Sequence, residues 1–218
     1  MKKSFLIVGL GRFGQAVAEE LAKQNADVMA IDNREEAVIE ASENVEHCMI
    51  CDSTNENAMR QLGLDHINHA IVTIGDNVEA TILTTIILKE IGIKKISVRV
   101  DNEYYTKIMQ KLGADEIIFP EKIAGVRYAN SVISDTFVDY FNISDDYALV
   151  QISIVSSFKP RTLVELDSRN KYDVSIVSIK RHNKVFIPKG SDSILPDDEI
   201  LVIGVKNKIT KFDQQINN

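Results

Sequence analysis

The chain has 218 residues, of which 44% are hydrophobic and 26% are charged, and it carries a formal charge of −7. This composition suits one or two soluble domains with ordinary cores. The acidic excess lies in residues 1–140, which hold 22 acidic and 14 basic side chains, whereas residues 141–218 hold 10 and 11. Neither part is the basic surface that a phosphate backbone requires, so nucleic acid is not an expected partner.

Membrane and secretion signals are weak. No apolar run approaches the ~18 residues that span a bilayer. Lys2 and Lys3 precede an apolar stretch, but Gly9, Gly11 and Arg12 interrupt it, which leaves it too short for a signal-peptide core. We therefore expect a cytoplasmic protein whose membrane role, if it has one, acts through a partner.

Residues 4–14 hold the most informative motif. Residues 5–8 predict a buried parallel strand, and the glycine turn at 9–14 leads into a segment whose apolar residues recur at helical spacing. In such a unit Gly9 allows a tight turn, Gly11 allows a pyrophosphate to approach, and Gly14 allows the helix to pack on the strand. The N–H groups and positive dipole end of the helix then hold the phosphate.

Asp32 follows the next predicted strand, residues 27–31, about 20 residues after the glycines, where a ribose-binding acid is expected. A carboxylate there accepts hydrogen bonds from both ribose hydroxyls and repels a 2′-phosphate, which favours NAD or an adenine nucleotide over NADP. Arg34, two residues later, weakens that exclusion. The pairing of glycines with Asp32 favours a nucleotide site over a plain glycine turn.

Strands and helices alternate as far as Pro120, which predicts an α/β fold with a Rossmann-like doubly wound parallel sheet. After Asp32, strands are predicted at residues 48–51, 70–74, 95–100 and 116–119, and helices at 34–42, 55–61, 78–91 and 103–112. Asp52 follows residues 48–51, the third strand of the predicted sheet. It either binds adenine or ribose, or, with Ser53, caps the following helix.

A different pattern follows Pro120. Apolar residues from Ile123 to Phe141 keep helical spacing over about five turns, which predicts a long crossover helix. Its apolar stripe is either core or a surface for a second subunit, and we favour the second subunit. Strands are predicted at 147–155, 174–180, 184–187 and 200–205, with a short helix at 162–166 and a polar tail. The predicted organisation is a nucleotide-binding domain at 1–122, the helix and linker at 123–143, and a smaller α+β domain at 144–218.

Cys48 and Cys51 form a CxxC pair, a spacing that also occurs in redox and zinc sites. The pair lies in a strand-like run, where positions three apart face opposite sides of a sheet. No second pair completes a zinc site. We therefore expect two structural thiols.

The glycine motif, Asp32, the Asp52-Ser53-Thr54 segment and residues 111–115 with Pro120-Glu121 resemble the RCK domains that regulate potassium channels and transporters, of the KtrA, KtrC and TrkA type. Residues 195–204 are similar to the closing segment of the carboxyl-terminal module in those proteins. The resemblance implies a cytoplasmic regulatory subunit that is not an enzyme. It also implies a homodimer that assembles into an octameric ring beneath a membrane-embedded potassium-translocating subunit of the KtrB, KtrD or TrkH type.

The resemblance further implies ATP or ADP, or NAD(H), at the glycine loop. Carried over by position, Arg12 reaches the terminal phosphate and Glu121 helps to hold a divalent cation or sodium at the dimer interface. Without the resemblance, a helix-surface role for Arg12 and a solvated-turn role for Glu121 would be favoured. The predicted nucleotide site comprises Gly9, Gly11, Arg12, Phe13, Gly14, Asp32, Asn33, Arg34, Asp52, Ser53, Thr54, Gly75 and Arg99.

In many Gram-positive members of this family the second domain binds cyclic di-AMP at its dimer interface. Residues 163–177 resemble that segment, although Ser175 stands where binders often carry Asn, and Asp197 replaces a frequent Gly. The predicted site comprises Asp167, Arg169, Ser175, Ile176 and Pro188. The alternative is that Asp167 and Arg169 form only a surface ion pair, worth ~0–1 kcal/mol.

Two other functions fit the chain less well. An NAD-dependent oxidoreductase needs a proton donor, but the four histidines fall at predicted strand edges or turns and the second domain offers no convergent pocket. A redox-sensing transcription regulator needs a basic recognition helix, which the acidic balance argues against. We therefore expect a gating subunit, in which a tenfold population change requires ~1.4 kcal/mol of differential binding.

Overall fold

The computed structural model describes residues 3–75 and 77–217. Its contacts divide the chain into two compact units, with the boundary after Glu121. Within the described residues no helix combines the length and apolar character needed to cross a bilayer.

A six-stranded parallel sheet, ordered β3-β2-β1-β4-β5-β6, forms the centre of the first unit. Its strands are β1 (Ser4–Val8), β2 (Asp27–Asp32), β3 (His47–Ile50), β4 (His69–Val72), β5 (Lys95–Arg99) and β6 (Glu116–Ile118). Its helices are α1 (Arg12–Lys23), α2 (Glu35–Ser42), α3 (Glu56–Gln61), α4 (Val78–Ile91) and α5 (Thr106–Leu112), with 3-10 turns at Leu64–His66 and Glu103–Tyr105. The predicted doubly wound parallel sheet is confirmed.

Different helices cover the two faces of this sheet. On one face, Ile7 of β1 packs in a core that also contains residues of α1 and α2. On the other face, Leu6 lies in a core with residues of α3, α4 and α5. Because α1 leaves β1 on one side and α4 leaves β4 on the other, a crevice opens at the carboxyl ends of these neighbouring strands.

Polar side chains cross the amino end of the sheet through three strands. His69 Nε2 lies 2.7 Å from Ser97 Oγ, and Ser97 donates to Glu116 Oε2 at 2.9 Å. Glu116 also pairs with Lys95 at 2.8 Å. Burial lowers the pKa of His69, and Lys95 and Lys3 lower it further, against the opposing charges of Glu116 and Asp115. The fold therefore favours a neutral imidazole at this position.

We predict that His69 makes the protein less stable in mild acid. The folded pKa lies below the unfolded value of ~6.5, so the unfolded chain binds the proton first as pH falls. Stability is lost as pH drops through the unfolded value toward the folded one. Urea midpoints measured near pH ~7.5 and ~5.5 should differ less in His69→Gln than in the wild type. The exposed His47→Gln is the control, and an equal effect in both variants would contradict this assignment.

A five-stranded antiparallel sheet, ordered β11-β10-β13-β8-β7, forms the second unit, together with a separate β9-β12 pair. Its strands are β7 (Phe137–Asn142), β8 (Tyr147–Ser153), β9 (Arg161–Thr162), β10 (Val174–Arg181), β11 (Lys184–Phe186), β12 (Ser193–Ile194) and β13 (Glu199–Val205). Its helices are α7 (Leu163–Leu166), α8 (Ser168–Tyr172) and α9 (Lys206–Asn217), while α6 (Pro120–Ser131) crosses the boundary. The alternation predicted from residue 147 is confirmed, because Ala148, Val150 and Ile152 are fully buried.

The predicted long helix at 123–141 is wrong in its second half. Helix α6 ends at Ser131, and residues 137–142 form strand β7, which pairs with β8. Between them, Ser134 and Thr136 donate hydrogen bonds to the buried carboxylate of Asp213 at 2.7 and 2.5 Å. These bonds hold residues 132–136 in a turn between α6 and β7. The segment from Lys122 onward therefore belongs to one unit with the second sheet.

The predicted polar tail is also wrong. Residues 206–217 form helix α9, whose Ile209, Phe212 and Ile216 are at most 5% exposed. These residues recur at helical spacing and pack into the core of the second unit. The helix covers one face of the sheet, which would otherwise be exposed to water.

A buried ion pair fixes the loop before β13. Arg181 donates to both oxygens of Asp198 at 2.7 Å, and its Nη2 also donates to the carbonyl of Ser193 at 2.8 Å. The Asp198 side chain is 1% exposed and the Arg181 side chain is 29% exposed. Asp198 also accepts from the Leu195 amide at 2.7 Å. The guanidinium therefore compensates a carboxylate that has almost no contact with water.

We predict that Arg181→Ala lowers the free energy of unfolding of the second unit by about 3 kcal/mol, because it leaves the buried Asp198 carboxylate without a positively charged partner. Chemical denaturation followed by circular dichroism measures this loss. Lys180→Ala is the matched control, since Lys180 joins the same two strands through the more exposed Glu199 and should cost less than about 1 kcal/mol. Equal losses in the two variants would contradict the buried-charge explanation.

Candidate functional site

The three glycines of the loop after β1 have different surroundings. Gly9 has a φ of +97°, and a Cβ added there would lie 2.9 Å from the Ile74 amide. A Cβ on Gly14 would lie 2.0 Å from the Gly9 carbonyl oxygen, whereas one on Gly11 would have nothing within 4 Å. Gly9 and Gly14 are therefore required for packing within the protein. Gly11 faces open space, as expected of a residue that lets a ligand approach the backbone.

Thr73, at the end of β4, holds this loop in place and was missed in the sequence. Its hydroxyl donates to the Gly9 carbonyl at 2.6 Å, and its amide donates to the Val8 carbonyl at 2.7 Å. Gly9 in turn donates to the Ile31 carbonyl at 2.9 Å. The available signal in the sequence was a threonine directly after the apolar residues 70–72 of a predicted central strand.

Helix α1 begins at Arg12 with an exposed amino end. Its N-cap residue, Gly11, has no side chain that could accept a hydrogen bond from the first turn. That turn contains no acidic residue. The first N–H groups of a helix have no partner within the helix, so this end favours an anion. Arg12 is exposed and Phe13 is half-buried. Within the described part of the chain, the buried Nε2 of Gln15 also has no hydrogen-bond partner.

Asp32 lies at the carboxyl end of β2, beside the glycine loop. Its Oδ2 accepts from the Leu10 amide at 2.6 Å, and its Oδ1 accepts from the Arg34 amide at 2.8 Å. Burial raises the pKa of Asp32, but hydrogen bonds from Leu10 and Arg34 and the Arg34 charge outweigh it, so the pKa is lowered. The site therefore presents an ionised carboxylate next to the helix end. Asn33, also predicted here, is exposed.

The segment after β3 settles one of the two hypotheses for Asp52. Asp52 Oδ1 accepts from the Thr54 amide at 2.9 Å and from its hydroxyl at 2.7 Å, and these bonds lower the Asp52 pKa. Helix α3 is capped by Asn55, whose side chain accepts from the Ala58 amide. The capping role predicted for Asp52 or Ser53 is therefore wrong. Contact between Asp52 and adenine or ribose stays a prediction.

Ser53 makes a side-chain contact within the fold. Its side chain is buried, and its Oγ lies 2.7 Å from the hydroxyl of Thr84 in α4. The hydroxyl therefore links the segment after β3 to α4, which packs on the same face of the sheet as Leu6. Ser53 therefore supports the fold. Its predicted contact with a nucleotide stays a prediction.

Arg99, at the end of β5, lies beside the Gly75 loop and carries two carboxylate partners. Its Nη2 donates to Asp101 at 3.1 Å and to Glu121 at 2.9 Å. Within the described part of the chain, its buried Nε has no hydrogen-bond partner. A cavity of about 40 Å³ adjoins this guanidinium and is lined by Gly75, Val78, Thr81, Arg99, Tyr105 and Met109, among others. Arg99 thus lines a small cavity and carries a donor, Nε, that no described residue accepts.

The cation predicted at Glu121 has no preformed site. The Glu121 carboxylate, with a 65% exposed side chain, is paired with Arg99. Residues 3–75 and 77–217 contain no group of three or more His, Cys, Asp or Glu side chains arranged to hold a metal. Burial raises the thiol pKa values of Cys48 and Cys51, which disfavours the thiolate form that zinc binds.

The second predicted site is only partly assembled. Arg169 is exposed on α8, and Ser175 and Pro188 are half-buried. Asp167 accepts from the Asn170 side chain at 2.7 Å, so the predicted Asp167–Arg169 ion pair is not formed among the described residues. Ile176 is 8% exposed and packs in the core of the second unit. Its predicted contact with a ligand is therefore not supported, because its side chain is committed to the core.

Comparison with known proteins gives consistent matches. The TrkA-N domain model matches residues 5–120, and the TrkA-C domain model matches residues 149–217. The chain is 40% identical to Ktr system potassium uptake protein C of Bacillus subtilis (strain 168), over 99% of this chain and 98% of that protein. It is 35% identical to Ktr system potassium uptake protein A of the same organism, over 98% and 96%.

Among solved structures, the chain resembles the GsuK RCK domain, with a TM-score of 0.68 and 12% sequence identity. The likeness covers all of this chain and 48% of that one, so the chain spans about half of the GsuK RCK-domain chain. At this identity the likeness shows a shared fold.

We predict that Gly14→Ala and Gly11→Ala separate the packing and ligand-facing roles of the loop. Gly14→Ala forces a Cβ against backbone and should lower the free energy of unfolding of the first unit by about 2–3 kcal/mol. Gly11 has open space and an ordinary φ of −71°, so Gly11→Ala should lower it by no more than about 1 kcal/mol, the cost of alanine at the N-cap of α1. Urea denaturation measures both. A large loss in Gly11→Ala would show that this position is also packed.

Proposed function

Because this chain belongs to the family of proteins that join a TrkA-N domain to a TrkA-C domain, we propose that it is a regulatory subunit of a potassium uptake system. It acts in the cytoplasm, at the inner face of the membrane, through a membrane-embedded potassium-translocating subunit of the KtrB, KtrD or TrkH type. It binds its ligand to change conformation and performs no chemistry on it.

The ligand at the first unit is an adenine nucleotide, either ATP or ADP, or NAD(H). One observation carries this proposal: the ionised Asp32 carboxylate lies against the loop that ends in the uncapped α1. An acid suits ribose hydroxyls and a helix amino end suits phosphate, so the pair matches a nucleoside phosphate. The open space at Gly11 fits the approach of the phosphate to the backbone.

Two arginines are suited to the far end of the nucleotide. Arg12 is exposed in the first turn of α1, and Arg99 has a donor that no described residue accepts. A guanidinium binds phosphate oxygens through paired N–H groups, so a phosphate can replace the carboxylates that Arg99 now holds. Glu121, once released, would offer a carboxylate for a divalent cation or sodium beside the phosphates.

A second copy of the chain is the proposed cover of α6. No residue of this helix is buried, and even its large apolar side chains are exposed. Ile123 is 63% exposed, Val126 is 44% exposed and Tyr128 is 71% exposed. A surface helix of a complete unit normally buries one face. We assign the exposed apolar residues to a homodimer interface, and such dimers assemble into an octameric ring.

The second unit is the proposed site for cyclic di-AMP. Arg169 is exposed for contact with a phosphate, Asp167 lies two residues before it, Ser175 lies on β10 and Pro188 follows β11. Asp197 has a φ of +64°, a left-handed conformation that explains why a glycine is frequent there. The replacement therefore preserves the backbone rather than changing the binding chemistry.

We predict that single substitutions separate the two ligands. Calorimetry with ATP, ADP, NAD, NADH and cyclic di-AMP should show that Asp32→Ala abolishes nucleotide binding and leaves cyclic di-AMP binding intact. Arg169→Ala should do the reverse, because it removes the proposed phosphate ligand of the second unit. Asp32→Asn, which keeps a hydrogen-bond acceptor for Leu10, guards against loss of binding through misfolding.

Matched controls lie on the same elements. Asp27→Ala changes an acid at the opposite end of β2, and Lys171→Ala removes a positive charge from the same short helix as Arg169. Neither should affect either ligand. If both ligands were lost in one of the site variants while its fold was intact, the two-site proposal would be wrong.

A further inference from the structure

The carboxylate that is proposed to bind ribose already has a full set of donors. Oδ1 of Asp32 accepts from the Arg34 amide at 2.8 Å and from Arg34 Nε at 3.2 Å. Oδ2 accepts from the Leu10 amide at 2.6 Å and from Arg34 Nη2 at 3.4 Å. A carboxylate offers about four lone-pair positions, so these contacts leave no free acceptor for a ribose diol.

The four donors are not equally fixed. The Leu10 amide belongs to the glycine turn, where Leu10 is 2% exposed, and the Arg34 amide lies at the start of α2. The Arg34 side chain is 63% exposed and makes the two longest contacts. Exposed ion pairs contribute little because water and salt compete with them. The guanidinium is therefore the donor that a ligand can displace.

We infer that Arg34 is an internal competitor for the ribose position and so sets the affinity of this chain for nucleotides. This inference rests on the proposed nucleotide function. Arg34 holds the carboxylate while the crevice is empty, and the ribose hydroxyls take its place when a nucleotide binds. The measured affinity is then reduced by the strength of the contact that must be broken.

The opposite role for Arg34 is a direct contact with the ligand, through a 2′-phosphate or by stacking on adenine. A direct contact would be lost on truncation, and binding would weaken. An internal competitor gives the reverse, because truncation opens the carboxylate. The direction of the change therefore decides between the two.

Adenosine is the appropriate probe, because it carries both ribose hydroxyls and no phosphate that could interact with Arg34. Equilibrium dialysis of the full chain should show that Arg34→Ala binds adenosine about 1.5- to 5-fold more tightly than the wild type, the range expected for an exposed ion pair. Arg34→Lys keeps the charge but loses the planar fork and should fall between the two. The gain should be smaller for 2′-deoxyadenosine, which has one hydroxyl fewer to place on the carboxylate.

Salt provides a second test. Raising the salt concentration from about 0.05 to about 0.5 M weakens the Arg34–Asp32 pair, so adenosine should bind more tightly to the wild type at high salt. Arg34→Ala should lose this dependence. Arg60→Ala, which removes an exposed arginine paired with Glu56 on α3, should behave as the wild type.

Equal or weaker adenosine binding by Arg34→Ala, with the wild type still binding, would overturn the inference and leave the proposed nucleotide function intact. No adenosine binding by either protein at millimolar concentrations, together with no binding of ATP, ADP or NAD, would overturn both. The exposed position of Arg34 makes loss of folding an improbable cause, and thermal unfolding of the variant checks it.

Discussion

The hydrogen bond from the Leu10 amide to Asp32 ties the glycine loop to the end of β2, and the shape of the crevice depends on it. It is 2.6 Å long and buried, and an ionised acceptor makes it stronger than a bond between neutral groups. Burial alone would raise the pKa of this carboxyl, and the two backbone donors together with the Arg34 side chain reverse that effect. The same acid therefore fixes the loop and supplies the charge that a ribose would meet.

Most of the first unit follows from local sequence signals. Buried parallel strands read as short apolar runs, and each helix between them begins and ends at recognisable residues. Helix α4 was predicted with its observed bounds because Asn77 caps one end and Gly92, with a φ of +95°, ends the other. The packing roles of Gly9 and Gly14 were predictable as well, since they depend on backbone geometry rather than on distant side chains.

The second unit was harder to predict because its boundaries depend on contacts between distant segments. The apolar spacing from 123 to 141 runs through two elements, and the bonds from Ser134 and Thr136 to Asp213 separate them. Asp213 lies about 80 residues away in α9, a helix that its many polar residues disguise as a tail, since only three of its buried residues are apolar. The pairing of Arg34 with Asp32 was likewise hidden, since no periodicity encodes where an exposed side chain turns.

The charges at this edge of the first sheet are paired with one another. Asp32 holds Arg34, while Arg99 holds Asp101 and Glu121. A nucleotide that entered would exchange these internal pairs for its own hydroxyls and phosphates, so its binding free energy is a difference between two sets of contacts. Glu121 lies in the first turn of α6, and this helix crosses the boundary between the two units. In the proposed function, a phosphate that took Arg99 would therefore free a carboxylate in the first turn of that helix.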